Sequence, residues 1–393
     1  MNRAILSDAV QAYLKAHATQ DPRSFALKAS PFPEVTASEL AQQLASRQKC
    51  KDKLPTWHKT EGLYYPPSLN LEQTSSEVTA QYKSNLVSGK HLVDITGGFG
   101  IDAHYFSQQM DQVTHCERDA LLSEMAQHNG AILERNNIEF KAQNGLDWLT
   151  EQQSTLDWIY VDPSRRSDRK GKVFLLEDCQ PDVIENLELF FLKSDHILIK
   201  TAPLLDLEQG LKSLAQVSEI HIVAIKNEVK ELLWSLEKGY AGNPKIIAVN
   251  LLPEKGMQKT QIPWDAEATT QSLYSVPQQY LYEPNASLMK SGAFKWIGGN
   301  FELNKLAQHS HLYTSDSLKI FPGRRFEIAG KFEYNKATMK TLGIAKANIS
   351  TRNFPLDVAT LRKKHKIKDG GQHYLFFTQD QTGKKWVLVC QKA

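Results

Sequence analysis

The sequence predicts an α/β protein: a mostly parallel, doubly wound sheet with helices on both faces, a helical N-terminal region, and a small α+β C-terminal module. Three observations lead there. From residue 91 to residue 252, short apolar runs of strand character alternate with segments whose apolar residues recur at helical spacing. The first run, His91-Leu92-Val93-Asp94-Ile95-Thr96, opens onto the turn Gly97-Gly98-Phe99-Gly100 and a helix start at Ile101-Asp102. The second, Gln112-Val113-Thr114-His115-Cys116-Glu117, ends in an acid about twenty residues after the glycines, the interval at which such an acid grips a ribose.

Taken in order, residues 2–50 read as largely helical. Ala9-Val10-Gln11-Ala12-Tyr13-Leu14 and Leu40-Ala41-Gln42-Gln43-Leu44-Ala45 carry apolar residues three and four apart. Thr36 is a fitting N-cap, and Glu39 completes a capping box. Pro31-Phe32-Pro33 breaks the region in two. These helices suit either a small module or a lid. Residues 53–67, rich in proline and aromatics, read as an ordered connector. Residues 70–83 read as a helix with the cap residues Thr74, Ser75 and Ser76 ahead of Glu77.

The core then alternates. A helix is expected over 119–129, a third strand over 137–142, and a fourth over Leu156-Asp157-Trp158-Ile159-Tyr160-Val161, ending near Asp162. Residues 196–200 and 219–225 read as the fifth and sixth strands. After the turn Gly242-Asn243-Pro244, residues 246–252 form another, stopped by Pro253. Residues 256–274 are polar and read as irregular. A strand and an Asn285-capped helix are expected over 280–294, and a junction over 317–325. The last module then has a helix at 336–342, a strand at 348–350 and a helix at 357–364. A hairpin of residues 374–378 and 386–390, with Gly383 in its turn, closes it. The domain division read from this is 1–68, 69–255, 275–322 and 323–393.

The totals bound the function. The 393 residues suffice for two or three domains, and a 41% hydrophobic and 23% charged composition describes a soluble globular protein. No apolar run reaches membrane-spanning length, and the first residues become polar too soon for a secretory signal. Cys50, Cys116, Cys179 and Cys390 are scattered without a CxxC pair, which suggests neither a disulfide framework nor a zinc site and fits a cytoplasmic protein. The net charge of +3 is unevenly spread. Residues 319–393 hold 16 Lys and Arg against 5 Asp and Glu, a local charge of +11, while the rest of the chain stands at −8. A basic module on an acidic body is suited to a polyanion, although a solvated lysine-rich surface would look the same.

The chemistry concentrates at strand ends. Asp94 can accept from a ligand's ammonium or hydroxyl, and Gly98 and Gly100 allow close backbone approach. An ordinary strand–turn–helix corner shares that signature. The run ending in Asp162-Pro163-Ser164-Arg165-Arg166 adds a third element, in the order and at the intervals that suit a nucleoside cofactor with a reaction centre beside it. Arg165 could stack on a base as a cationic plane or pair with phosphate; the other reading of Arg165, Arg166 and Arg169 is a mobile basic loop. Cys179 reads as a buried thiol rather than a nucleophile.

On these residues the chain resembles the class I S-adenosylmethionine (SAM)-dependent methyltransferases, which implies a Rossmann-like core. Asp94 to Gly100, with Thr96, looks like their first motif, Glu117 like their ribose acid, and Asp162-Pro163 like their fourth motif. The resemblance makes Asn144, with Asp147 second, the candidate for the adenine amine, and makes Asp162, Pro163 and Arg165 the catalytic candidates. Ser164 replaces the second proline of the base amino-methyltransferase motif, and Arg165 stands where its aromatic would be. The chain from about Pro66 on resembles bacterial methyltransferases with a C-terminal THUMP-like, RNA-binding domain. Asp162-Pro163-Ser164-Arg165-Arg166, Leu176-Glu177-Asp178-Cys179-Gln180-Pro181-Asp182, Tyr282-Glu283-Pro284-Asn285 and Lys366-Ile367-Lys368-Asp369-Gly370-Gly371 carry that likeness. The implied activity is SAM-dependent methylation of a base nitrogen in tRNA or rRNA, with RNA held by the basic module. Two alternatives stay in view. Gly98-Phe99-Gly100-Ile101-Asp102-Ala103 also fits the dinucleotide fingerprint of a nicotinamide-dependent oxidoreductase. A non-catalytic RNA-binding protein would keep the fold without the chemistry.

Overall fold

The computed structural model describes residues 1–27, 29–165 and 176–393, with only the backbone of Arg165 described. The chain divides into two compact units: Met1–Ser218 with Leu232–Gly242, and Glu219–Glu231 with Asn243–Ala393.

In the first unit, helices α1 (Asp8–Ala16), α2 (Pro22–Ala26) and α3 (Ala37–Lys53) come first. The Thr36–Glu39 capping box starts α3 as its residue types require. The apolar faces of these helices pack Val10, Leu14, Phe25, Leu40 and Leu44 against Tyr64 and Met125, so they share a core with the connector and the sheet domain. The connector holds a short helix, α4 (Pro55–Lys59), that the proline-rich composition concealed. Next come α5 (Ser68–Gln73) and α6 (Glu77–Ser84), separated where Ser76 turns its hydroxyl to cap α6 at the Thr79 N–H.

The sheet is built from the strands β1 (Gly89–Asp94), β2 (Met110–Cys116), β3 (Ile138–Lys141) and β4 (Leu156–Val161). A two-residue ladder of β5 (Ser164–Arg165) and β6 (Cys179–Gln180) lies beyond β4, and β7 (Ser194–Thr201) completes the parallel set. The helices between them are α7 (Ile101–Phe106), α8 (Ala120–Ile132) and α9 (Gly145–Glu151). The strand order is β7-β4-β1-β2-β3, all parallel, so the winding reverses direction between β1 and β4. Crevices at such reversals, outside the carboxyl ends of the strands, are where open α/β sheets bind ligands.

Two further strands are not announced by the apolar pattern. After β8 (Val217–Ile225), β9 (Glu228–Glu237) runs back, and its residues Leu232 to Glu237 pair antiparallel with β7. The turn uses Lys226 and Asn227 at positive φ without a glycine to signal it. Residues 256–274 are not irregular as expected. They hold β11 (Gly256–Pro263), antiparallel to β10 (Lys245–Leu252). Only Ile262 of β11 is buried, so its apolar pattern was too faint to read.

The second unit also carries a seven-stranded sheet. Its strands are β12 (Tyr280–Pro284), β13 (Asn304–Lys305), β14 (Tyr313–Ser315), β15 (Gly323–Glu333), β16 (Lys346–Thr351), β17 (Lys368–Gln379) and β18 (Lys385–Lys392). They lie in the order β13-β14-β12-β15-β18-β17-β16. The expected junction at 317–325 therefore runs into an eleven-residue strand. Phe326, Phe376 and Leu388 fill one side of this sheet's core, and Leu361, Leu375 and Phe377 another. No helix among the described residues is long and apolar enough to cross a membrane.

Candidate active site

The site forms where the strand order reverses. Asp94 ends β1, and Asp162 comes directly after the last residue of the neighbouring β4. Thr96 joins them. Its N–H and hydroxyl donate to Asp94 Oδ1 at 2.9 and 3.2 Å, and the same hydroxyl accepts the Asp162 N–H at 2.7 Å. Asp94 is 1% exposed. Burial, and after it the charge of Asp102 and then of Asp162, holds its carboxyl well above the usual carboxylate range, against the Thr96 hydrogen bonds.

The glycine turn lies directly on a buried imidazole. A Cβ on Gly97 would sit 2.4 Å from His115 Nε2, and Gly98 and Gly100 take φ of +55° and +81°, which side chains disfavour. Burial pushes His115 down to about 4, so its ring is neutral at pH 7. Glu117 Oε2 accepts the Gly98 N–H and Oε1 accepts the Asp119 N–H, each at 2.8 Å, tying the glycine turn to the end of β2. Asn144 caps α9 by accepting the Leu146 N–H at 2.9 Å. Gly145 beside it packs so closely on Ile95 that a Cβ would meet the Ile95 carbonyl oxygen at 2.3 Å. The structure thus places Asp94, Thr96, Gly98, Gly100, Glu117, Asn144 and Asp162 at or just beyond the carboxyl ends of the adjacent strands β1 to β4.

Sequence reasoning missed two lysines. Lys200, near the end of β7, places Nζ 2.5 Å from Asp162 Oδ2. Lys83 of α6 is fully buried and lies 3.0 Å from Asp102 Oδ1. Ser75 (2.8 Å) and the Tyr160 hydroxyl (2.9 Å) donate to Asp102 Oδ2. Burial alone would raise the Asp102 carboxyl, but the Lys83 and Lys200 charges and the hydrogen bonds from Lys83 and Ser75 bring it below its ordinary value. The only signal for Lys200 was a cation ending an apolar strand whose neighbour ends in an acid. Asp147 lies in the first turn of α9. Pro163 leads into the β5–β6 ladder, where Arg165 pairs through its backbone with Cys179. The Arg165 side chain, Arg166 and Arg169 lie outside the described residues. All four cysteines are buried.

Residues 280–322 match the family model of a ferredoxin-like domain, and residues 323–392 match that of a THUMP domain-like family. A solved structure from Porphyromonas gingivalis W83, described as a "putative methyltransferase", shares 34% sequence identity over 100% of this chain and 98% of its own, with a TM-score of 0.91. The chain belongs to this family of bacterial class I methyltransferases with a C-terminal THUMP-like domain. The family's frame is the Rossmann-like core described above, with the helical region before it and the α+β module after it. More distant structures include an rRNA methylase from Streptococcus thermophilus (13% identity, 41% of this chain and 94% of that one, TM-score 0.30). Another is TrmK of M. capricolum in complex with S-adenosyl-homocysteine (12%, 41% and 68%, 0.32). At those scores they add nothing to the family assignment. No curated protein matches the chain.

Proposed function

We propose that this protein is a SAM-dependent methyltransferase acting on a base nitrogen of RNA, either tRNA or rRNA. The observation that carries the reading is Thr96, whose hydroxyl donates to the Asp94 carboxyl and accepts the Asp162 backbone N–H, and so links a cation-accepting carboxyl to the neighbouring strand end that bears a second acid. The residues fit the cofactor. Asp94 is a buried acid held toward its neutral form, and it gains most from a ligand bearing an ammonium or sulfonium charge. Gly97 and Gly145 seat the turns closely on His115 and Ile95, while at Gly98, whose φ is +55°, a Cβ would meet only the Thr96 carbonyl oxygen at 3.8 Å, which leaves its backbone open to a nucleoside. Asp94, Thr96, Gly98, Gly100, Glu117 and Asn144 would hold it, with Glu117 the ribose acid. Bound there, SAM supplies an electrophilic methyl group on a sulfonium.

The chain's own task is then to position the acceptor. Asp162 Oδ2 is taken by Lys200, while Oδ1 has no protein donor among the described residues and the side chain is 28% exposed. Oδ1 accepts an N–H of the acceptor amine and turns its lone pair toward the methyl group. Lys200 fixes the carboxylate and compensates its charge. Pro163 and the β5–β6 ladder set the backbone that leads on to Arg165, the proposed stacking or phosphate contact. We assign the division 1–68, 69–255, 275–322 and 323–393 to helical region, methyltransferase, linker and RNA-binding module, in a cytoplasmic enzyme.

The test is transfer of labelled methyl from SAM to RNA taken from cells lacking this protein, with Asp162→Ala alongside. Label in one RNA class, lost in the variant, supports the reading. SAM binding without RNA label rejects RNA as the acceptor.

A further inference from the structure

Glu283 of β12 is the one acid shared by two arginines in the second unit among the described residues. Its side chain is 6% exposed. Arg324 lies directly across from it on β15 and donates to Oε2 through Nε at 2.6 Å and also through Nη2. Arg352, just past β16, donates to Oε1 through Nε (3.3 Å) and Nη2 (3.0 Å). In strand order β15, β18 and β17 stand between β12 and β16, so the sheet coils far enough to bring its two regions together on this carboxylate.

One carboxylate neutralises one guanidinium. Here it holds two, leaving a fixed excess positive charge. Both arginines remain part-exposed, 45% and 38% by side chain. Each guanidinium has five N–H donors, and the Nη1 groups of both have no protein acceptor among the described residues. The Ser350 hydroxyl lies 3.5 Å from Arg324 Nη2 and adds a neutral polar group at the same place. The Arg352 charge is also felt at His311, where, after burial and the Lys305 charge, it helps to push the imidazole down to about 4. A structural clamp would need one arginine. Two, oriented in advance with their outer donors spare, form a preorganised site for an anion with several acceptor oxygens.

Resting on the proposed RNA substrate, we infer that Arg324 and Arg352 together bind a backbone phosphate of that RNA, with Glu283 as the positioning residue that aims them. Such a contact sets the register of the RNA and does not read its sequence.

The experiment measures binding of the full-length protein to total tRNA and rRNA fragments across a range of KCl concentrations. The variants are Arg324→Gln, Arg352→Gln, and the triple Glu283→Gln/Arg324→Gln/Arg352→Gln, which leaves no buried charge unpaired. Each lost phosphate contact lowers the slope of log affinity against log salt by about 0.7 to 0.9. The triple variant is expected to bind RNA at least tenfold more weakly with a shallower slope, while its melting temperature and SAM binding stay near wild type. Under methyl transfer it raises KM for RNA and leaves kcat unchanged. Lys90→Gln, an exposed charge outside the basic module, controls for charge loss alone. Wild-type affinity and slope in the folded triple variant, with wild-type protein binding RNA, would overturn this inference and leave the RNA reading standing. No RNA binding by wild-type protein would overturn both.

Discussion

Lys200 Nζ sits 2.5 Å from Asp162 Oδ2, bridging the ends of β7 and β4. The pair is part-exposed, at 16% and 28% by side chain, so solvent screens it and its worth to folding is small. Its importance lies in orientation.

Lys200→Met should therefore leave SAM binding and melting temperature near wild type while lowering kcat about 10- to 100-fold, equivalent to about 1.4 to 2.7 kcal/mol of barrier. Lys200→Arg should recover part of the rate. Steady-state methyl transfer beside a thermal melt checks this, and an unchanged kcat in Lys200→Met would remove Lys200 from the mechanism.

The Lys83–Asp102 pair differs because it is buried. Lys83→Met strands a buried carboxylate and should cost about 3 to 5 kcal/mol, whereas Lys83→Met/Asp102→Leu should recover much of it. Chemical unfolding in a double-mutant cycle gives the coupling, and additive costs would show that the two charges do not depend on each other.

Asp94 carries an opposite sign of pH dependence. Its folded carboxyl binds protons more tightly than in the unfolded chain, so its contribution is most favourable below the ordinary carboxylate range and is lost as pH rises through the folded value. Asp94→Asn should raise the melting temperature of the ligand-free protein at pH 7 and weaken SAM binding at least tenfold. Calorimetry reads both, and a variant that is less stable and binds equally well contradicts the assignment.

His115 works in the other direction. Its folded value of about 4 lies below the unfolded 6.5, so the unfolded chain takes the proton first and stability falls as pH drops from about 6.5 to about 4. The loss reaches roughly 3 kcal/mol for the full shift. His115→Leu should reduce the dependence of unfolding free energy on pH across that window by about half, the rest being owed to His104, which burial and Arg135 push lower still, to about 3.

The frame of the first unit was readable because its signals are local. Gly98 and Gly100 are needed where φ is positive, Glu117 ends its strand, and Thr36 with Glu39 spells out a cap. The ion pairs were not readable. Lys200 meets Asp162 only because β7 lies beside β4, a long-range pairing that a terminal lysine in an apolar run does not declare. Lys83 reads as an exposed helix residue until α6 is seen to bury it against α7. Strands β9 and β15 escaped for a related reason: one begins after a glycine-free turn, and only Phe326 of the other's eleven residues is buried. The approach of Arg352 to Glu283 depends on sheet coiling, which no short stretch of sequence encodes.

Thr96 carries one last consequence. Its hydroxyl is at once donor to Asp94 and acceptor from the Asp162 backbone, so the two strand ends are joined by a relay of two hydrogen bonds. Hydrogen bonds in series polarise one another. A ligand that draws Asp94 into its ionised form strengthens the pull on the Thr96 proton, makes the oxygen a better acceptor, and stiffens the backbone at Asp162. Occupancy at one end is thereby reported at the other, and substrate and cofactor should bind with positive cooperativity that vanishes in Thr96→Val, a substitution that keeps the shape and cuts the wire.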